Sequence, residues 1–151
     1  MKAVKTTLPT AALVGRANVG KSTLFNRLTE THKALISDTA GTTRDTKESD
    51  VLWRGQTFRL IDTGGLEFDH DQAFDAEIQA RALKAIEDAD VILFVVDLKD
   101  GMLEQDRLIA QRLRQLDKPL FLVGNKADTE TAKARIHEAE GHEPGFCAHH
   151  P

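Results

Sequence analysis

Eight consecutive residues, Gly15-Arg16-Ala17-Asn18-Val19-Gly20-Lys21-Ser22, set two glycines, a lysine and a hydroxyl in the pattern G-x-x-x-x-G-K-[ST]. Glycines let a backbone curl so that successive N–H groups point at one anion. A helix starting where the loop ends adds a partial positive charge beneath that anion. Lys21 brings a formal charge to the same oxygens, and Ser22 a hard oxygen suited to Mg²⁺. The chemistry is phosphate binding. Gly15, Asn18, Val19, Gly20, Lys21, Ser22 and Thr23 are expected around a polyphosphate, against the plainer reading of a glycine-rich turn that happens to hold a lysine.

Asp62 opens Asp62-Thr63-Gly64-Gly65 directly after an apolar run. A carboxylate there holds Mg²⁺ through water, and the Gly65 N–H reaches a terminal phosphate oxygen. Asn125-Lys126-Ala127-Asp128 follows a later apolar run. Asp128 would accept both N–H groups on the guanine edge, a pair that adenine lacks, so a buried carboxylate left unpaired rejects ATP. Asn125 is expected to tie this loop to the phosphate loop, and the Lys126 stem to cover the base. Thr42 and Thr43 lie in a polar stretch between these motifs. A threonine hydroxyl there joins the Mg²⁺ shell while a γ-phosphate is present and withdraws when it leaves. The expected ligands are therefore GTP or GDP with Mg²⁺ on Ser22, Asp62 and one of Thr42 and Thr43, and Lys21, that threonine and Gly65 are placed at the reacting phosphate.

Apolar runs alternate with helix-period segments, which predicts an α/β fold with a doubly wound, mostly parallel sheet. Strands are expected at residues 11–14, 49–53, 57–62, 91–96 and 120–123, and helices at 21–28, 74–89, 104–116 and, weakly, 129–140. Arg54-Gly55-Gln56 is short enough to close a hairpin, which makes residues 49–62 an antiparallel edge. Phosphates then belong at the C-terminal ends of the parallel strands. The chain divides into a tail at 1–10, a nucleotide-binding domain at 11–140 and an irregular segment at 141–151, read as disordered.

In this order GRANVGKST (15–23), GTTRD (41–45), DTGG (62–65) and NKAD (125–128) resemble the Era-like branch of the translation-factor-type P-loop GTPases. LFNRLT at 24–29 and VVDLKDG at 95–101 are similar to the first G domain of its bacterial two-G-domain ribosome-assembly members. The resemblance spans about residues 11–128. It implies GTP hydrolysis as a conformational switch, ordering residues 33–46 and 63–75, and a role in large ribosomal subunit assembly. Members with two G domains add an RNA-contacting KH-like domain, so partner contacts are expected outside these residues. Thr43 matches a Mg²⁺-binding switch threonine, and Asn18 an asparagine that helps hold K⁺ at the phosphates. Loop carbonyls near Ser37 and Thr39 would close over that ion. Leu66 stands where Ras-like relatives carry a catalytic glutamine, leaving K⁺ or Arg44 as the counterion for transition-state charge. Position 17 is Ala where the group usually has Pro. The closing strand, Ser-Ala guanine loop and last helix of a G domain are reduced to residues 143–148, with the helix lacking. Cys147-Ala148 stands in for Ser-Ala, or else the end is truncated and unrelated.

Composition fits a cytoplasmic protein of one domain. The 151 residues carry a formal net charge of −4, which argues against a broad nucleic-acid face and direct DNA binding. One cysteine excludes an internal disulfide. No apolar run approaches the ~18–20 residues of a membrane span, and residues 1–10 contain no signal-type apolar stretch. His142, Cys147, His149 and His150 match no familiar zinc spacing. Two other readings stay open: a GTP-dependent docking module that does not hydrolyse, and an inactive fragment.

Overall fold

Strand β1, Thr10–Val14, is apolar on both sides: Ala12 and Val14 face one way and Leu13 the other, and all three are fully buried. The same alternation in β4, Val91–Asp97, sends Ile92, Phe94 and Val96 to one face and Val95 to the opposite one. A strand with both faces apolar must be covered twice. In the computed structural model, which describes residues 8–31, 47–64, 76–126, 128, 130, 131, 134, 147 and 148, helices supply both covers.

Helix α1, Lys21–Thr31, lays Phe25, Leu24 and Leu28 on the face with Leu13, Val51, Leu60 and Val95. Helices α2, Ala76–Asp88, and α3, Glu104–Arg114, cover the other face with Ala82, Ile86, Ile109, Ala110 and Leu113. Helix α3 suits its dipole: Glu104 and Asp106 lie in its first turn, Arg112 and Arg114 in its last. The remaining strands are β2, Lys47–Trp53; β3, Gln56–Asp62; β5, Leu120–Asn125; and β6, Cys147–Ala148. Among the described residues the sheet order is β2-β3-β1-β4-β5-β6, antiparallel only between β2 and β3.

The expected doubly wound sheet with one antiparallel edge is therefore what the chain forms. Arg54 and Gly55 make the two-residue hairpin turn, with φ of 48° and 79°. Two positive φ values match the right-handed strand twist, and the glycine takes the second at no steric cost. Strand β5 runs two residues further than expected, so Asn125 leaves from a paired strand position opposite Asp97. Helix α1 continues three residues past Leu28. Residues 130, 131 and 134 are helical, and the rest of the expected helix at 129–140 lies outside the described residues.

Of the segment at 141–151 only Cys147 and Ala148 are described; as strand β6 they pair in parallel with Phe121 and Leu122 of β5. That register also separates them from the base loop. Phe121 precedes Asn125 by four residues, about 13 Å along a strand, so Cys147-Ala148 pairs with β5 well short of the end from which Asn125 emerges. Residues 149–151, and with them the question of a last helix, lie outside the described residues.

Candidate functional site

Parallel register brings the chemistry to one edge. Leu13 lies beside both Asp62 of β3 and Leu93 of β4, and Asp97 lies beside Asn125. The loop after β1, Asp62 and Asn125 thus emerge together at the C-terminal ends of their strands, where open α/β sheets bind ligands. A cleft of about 490 Å³ opens there, lined by Ala17, Asn18, Gly20, Lys21, Ser22, Thr23, Gly64 and Lys126. Val19 is fully buried behind it, packed in the α1-side core.

Lys21 is 5% exposed, and its ammonium donates to the Arg16 carbonyl at 2.8 Å. Burial lowers its pKa from the ordinary lysine value, only partly offset by the nearby Asp62 carboxylate. Among the described residues it forms no ion pair. A desolvated cation of this kind is stabilised by an anion entering the cleft.

Ser22 Oγ donates to Asp62 Oδ2 at 3.0 Å. The second Asp62 oxygen accepts the Gly64 N–H at 3.1 Å, and the carboxylate is nearly buried. A hydroxyl and a carboxylate in contact fit Mg²⁺, which prefers few protein oxygens and completes its shell with phosphates and water. Among the described residues there is no cluster of three or more His, Cys, Asp or Glu that would make an all-protein cage. Thr43 and Gly65, expected beside them, lie outside the described residues, as do Leu66, Arg44, Ser37 and Thr39. Asn18 is exposed at φ 65°, and its backbone carbonyl accepts Lys126 Nζ at 3.1 Å.

Asn125 Nδ2 donates to the Val19 carbonyl at 2.9 Å, the expected tie between the base loop and the phosphate loop. Packing adds a second constraint on the two glycines. A Cβ on Gly20 would lie 2.2 Å from Asn125 Nδ2, and one on Gly15 would lie 2.5 Å from the Val95 carbonyl. Both positions are glycine because protein, rather than phosphate alone, comes so close.

A substitution at Gly20, which has φ 94°, tests this directly. Gly20→Ala is expected to add about 1–3 kcal/mol of backbone strain and to break the Asn125 tie, lowering GDP affinity about tenfold. Gly55→Ala is the control, since it shares a positive φ but meets nothing within 4 Å. Titration of GDP should separate the two variants, and unaltered affinity in Gly20→Ala would refute the tie.

Sequence reasoning missed the turn after β4. Asp97 is 2% exposed, and its Oδ2 accepts Lys126 Nζ at 2.6 Å. Its Oδ1 accepts the N–H groups of Lys99 and Asp100. Burial alone would raise the Asp97 pKa; the Lys126 hydrogen bond and the two backbone donors outweigh it and hold the group below the ordinary value. Lys126 is thereby strung between Asp97 and the phosphate loop and lines the cleft. Lys99 Nζ pairs with Asp128 Oδ2 at 2.6 Å, so the carboxylate expected to read the base faces a cation here. The available signal was an acid closing an apolar strand, as Asp62 does on β3.

A glycine-rich loop between strand and helix, with a hydroxyl–carboxylate pair and a tethered Asn-Lys-x-Asp loop, defines a P-loop G domain. The chain belongs to the family described as 50S ribosome-binding GTPase, whose model matches residues 10–126. It is 51% identical over 122 residues to GTPase Der of Azotobacter vinelandii, covering 81% of this chain and 25% of that protein. GTPase Der of Teredinibacter turnerae is 51% identical over 121 residues, covering 80% and 26%. The chain thus spans about a quarter of the length of these curated relatives. Among solved structures, Aquifex aeolicus Era bound to GDP and aluminium fluoride superposes with a TM-score of 0.76 at 31% identity, over 95% of this chain and 50% of that one. Era in complex with MgGDPNP and a stretch of 16S ribosomal RNA gives 0.75 at 30% identity, over 94% and 49%. Among the described residues no helix is long and apolar enough to cross a membrane.

Proposed function

We propose that this domain binds GTP and hydrolyses it to GDP and phosphate as a conformational switch, in the cytoplasm, during assembly of the large ribosomal subunit. The Asn125–Val19 hydrogen bond carries the reading, because it joins the base-reading loop and the phosphate loop into one site. Lys21 and the N–H groups at the start of α1 hold the phosphates. Ser22 and Asp62 hold Mg²⁺, which when bound neutralises charge at the β- and γ-phosphates. Asp128 exchanges Lys99 for the guanine edge. Thr43 and the Gly65 N–H meet the terminal phosphate, and residues 33–46 and 63–75 relax once it is gone. The family's description names the 50S subunit, and an Era neighbour is described with ribosomal RNA. Contacts with the ribosome or its precursor are assigned to parts of the protein beyond this domain.

Leu66 can neither orient water nor stabilise charge, so hydrolysis needs another counterion. The exposed Asn18 side chain offers a hard neutral oxygen beside the cleft, suited to a monovalent cation. K⁺ is therefore expected to accelerate hydrolysis at least about tenfold over Na⁺ at equal ionic strength, a fraction of what an arginine finger supplies. Asn18→Ala should abolish the difference. Phosphate release measured in the two salts decides it: equal rates for the folded, GTP-bound domain would remove K⁺ and leave Arg44 or a partner.

A further inference from the structure

Arg16, inside the phosphate loop, is only 7% exposed, an unusual fate for an arginine. Its Nε donates to Asp106 Oδ2 at 3.3 Å, and its Nη2 to Asp100 Oδ2 at 3.1 Å. Asp106 is fully buried in the first turn of α3, where the same Oδ2 accepts the Leu103 N–H at 2.9 Å. Among the described residues its Oδ1 has no hydrogen-bond partner, so Arg16 is the cation that compensates this buried carboxylate. Asp100 is itself held, through its N–H, to Asp97. The guanidinium is thus gripped by two carboxylates whose positions are fixed by α3 and by the turn after β4. On the other side of the residue, Gly15 is pressed against the Val95 carbonyl. Between these anchors lies the Arg16 carbonyl, the acceptor of Lys21 Nζ.

We infer that Arg16 is a positioning residue for the phosphate-binding lysine: the Asp100–Arg16–Asp106 clamp fixes the backbone carbonyl that aims the Lys21 ammonium into the cleft. A flexible four-carbon stem has many rotamers, and a bound nucleotide gains most from an ammonium already in place. The clamp supplies that order from α3, a helix that does not line the cleft. The inference rests on the nucleotide site proposed above, and the experiment separates the two.

GDP and guanosine affinities are to be measured for the wild-type domain, Arg16→Met, Lys21→Ala and the double variant, each shown to unfold cooperatively. Arg16→Met is expected to weaken GDP about tenfold and to leave guanosine, which has no phosphate, unchanged. In the Lys21→Ala background the same substitution should cost less than about twofold, because groups acting through one another are not additive. Equal losses in both backgrounds, a parallel loss of guanosine, or no loss at all would overturn the inference. If Arg16→Met does not fold, Asp100→Asn opens the exposed jaw of the clamp. It should weaken GDP about two- to threefold, and only when Lys21 is present; a loss that persists without Lys21 overturns the inference equally. Wild-type GDP affinity in Lys21→Ala alone would sink the site itself, and this inference with it.

Discussion

Asp128→Asn is expected to turn the domain from a guanine binder into a xanthine binder. Xanthine carries a carbonyl where guanine has its 2-amino group. An amide can donate to that carbonyl, whereas a carboxylate can only accept. Sites built to hydrogen-bond one edge reject the analogue that cannot pair by ~10⁴–10⁵-fold when the polar group is buried. Asp128 is exposed and paired with Lys99, so a swing on the order of 10³–10⁴ in the GDP-to-XDP ratio, below that of a buried site, is expected. Competition between the two nucleotides measures it. A variant that still prefers GDP would show that Asp128 does not read the base.

Lys21→Ala should weaken GDP roughly 10- to 150-fold, the range for a lost charge-assisted hydrogen bond of about 1.5–3 kcal/mol. The fold should not suffer. Burial lowers the folded-state pKa of Lys21 below its unfolded value, so the charged group destabilises the nucleotide-free fold at neutral pH, and that penalty is relieved as pH rises through the folded pKa. Removing the amine should leave the nucleotide-free midpoint unchanged or slightly higher while the stabilisation given by GDP collapses. Thermal unfolding with and without GDP tests both halves. A variant destabilised when empty, yet still strongly stabilised by GDP, would put Lys21 in the core rather than at the phosphates.

Much of this site was legible because its signals are local. A phosphate loop announces itself through glycines and a lysine at fixed spacing, and the apolar runs before Gly15 and Asn125 give the strands that carry them. The apolar runs alternating with helix-period segments were enough to predict a doubly wound sheet. What escaped was non-local. Arg16 meets Asp100 and Asp106 across 84 and 90 residues, and Lys126 meets Asp97 across 29. No spacing rule encodes such pairs, since the β4–α3 connection brings them to the phosphate loop only once the sheet has formed. Cys147-Ala148 was obscure for a related reason. Two residues hold no periodicity, and the open edge of β5 makes them a strand. The glycines were recognised, but a motif shows only where a side chain is forbidden, and packing shows which protein atoms forbid it.

Single-turnover reaction of the domain with GTP, Mg²⁺ and K⁺, followed by chromatography of the nucleotides, tests the central claim most directly. Conversion of bound GTP to GDP with stoichiometric phosphate is expected, with no conversion of ATP and loss of the reaction in Lys21→Ala. Comparable cleavage of ATP, or GTP recovered intact from the folded and saturated domain, would contradict it.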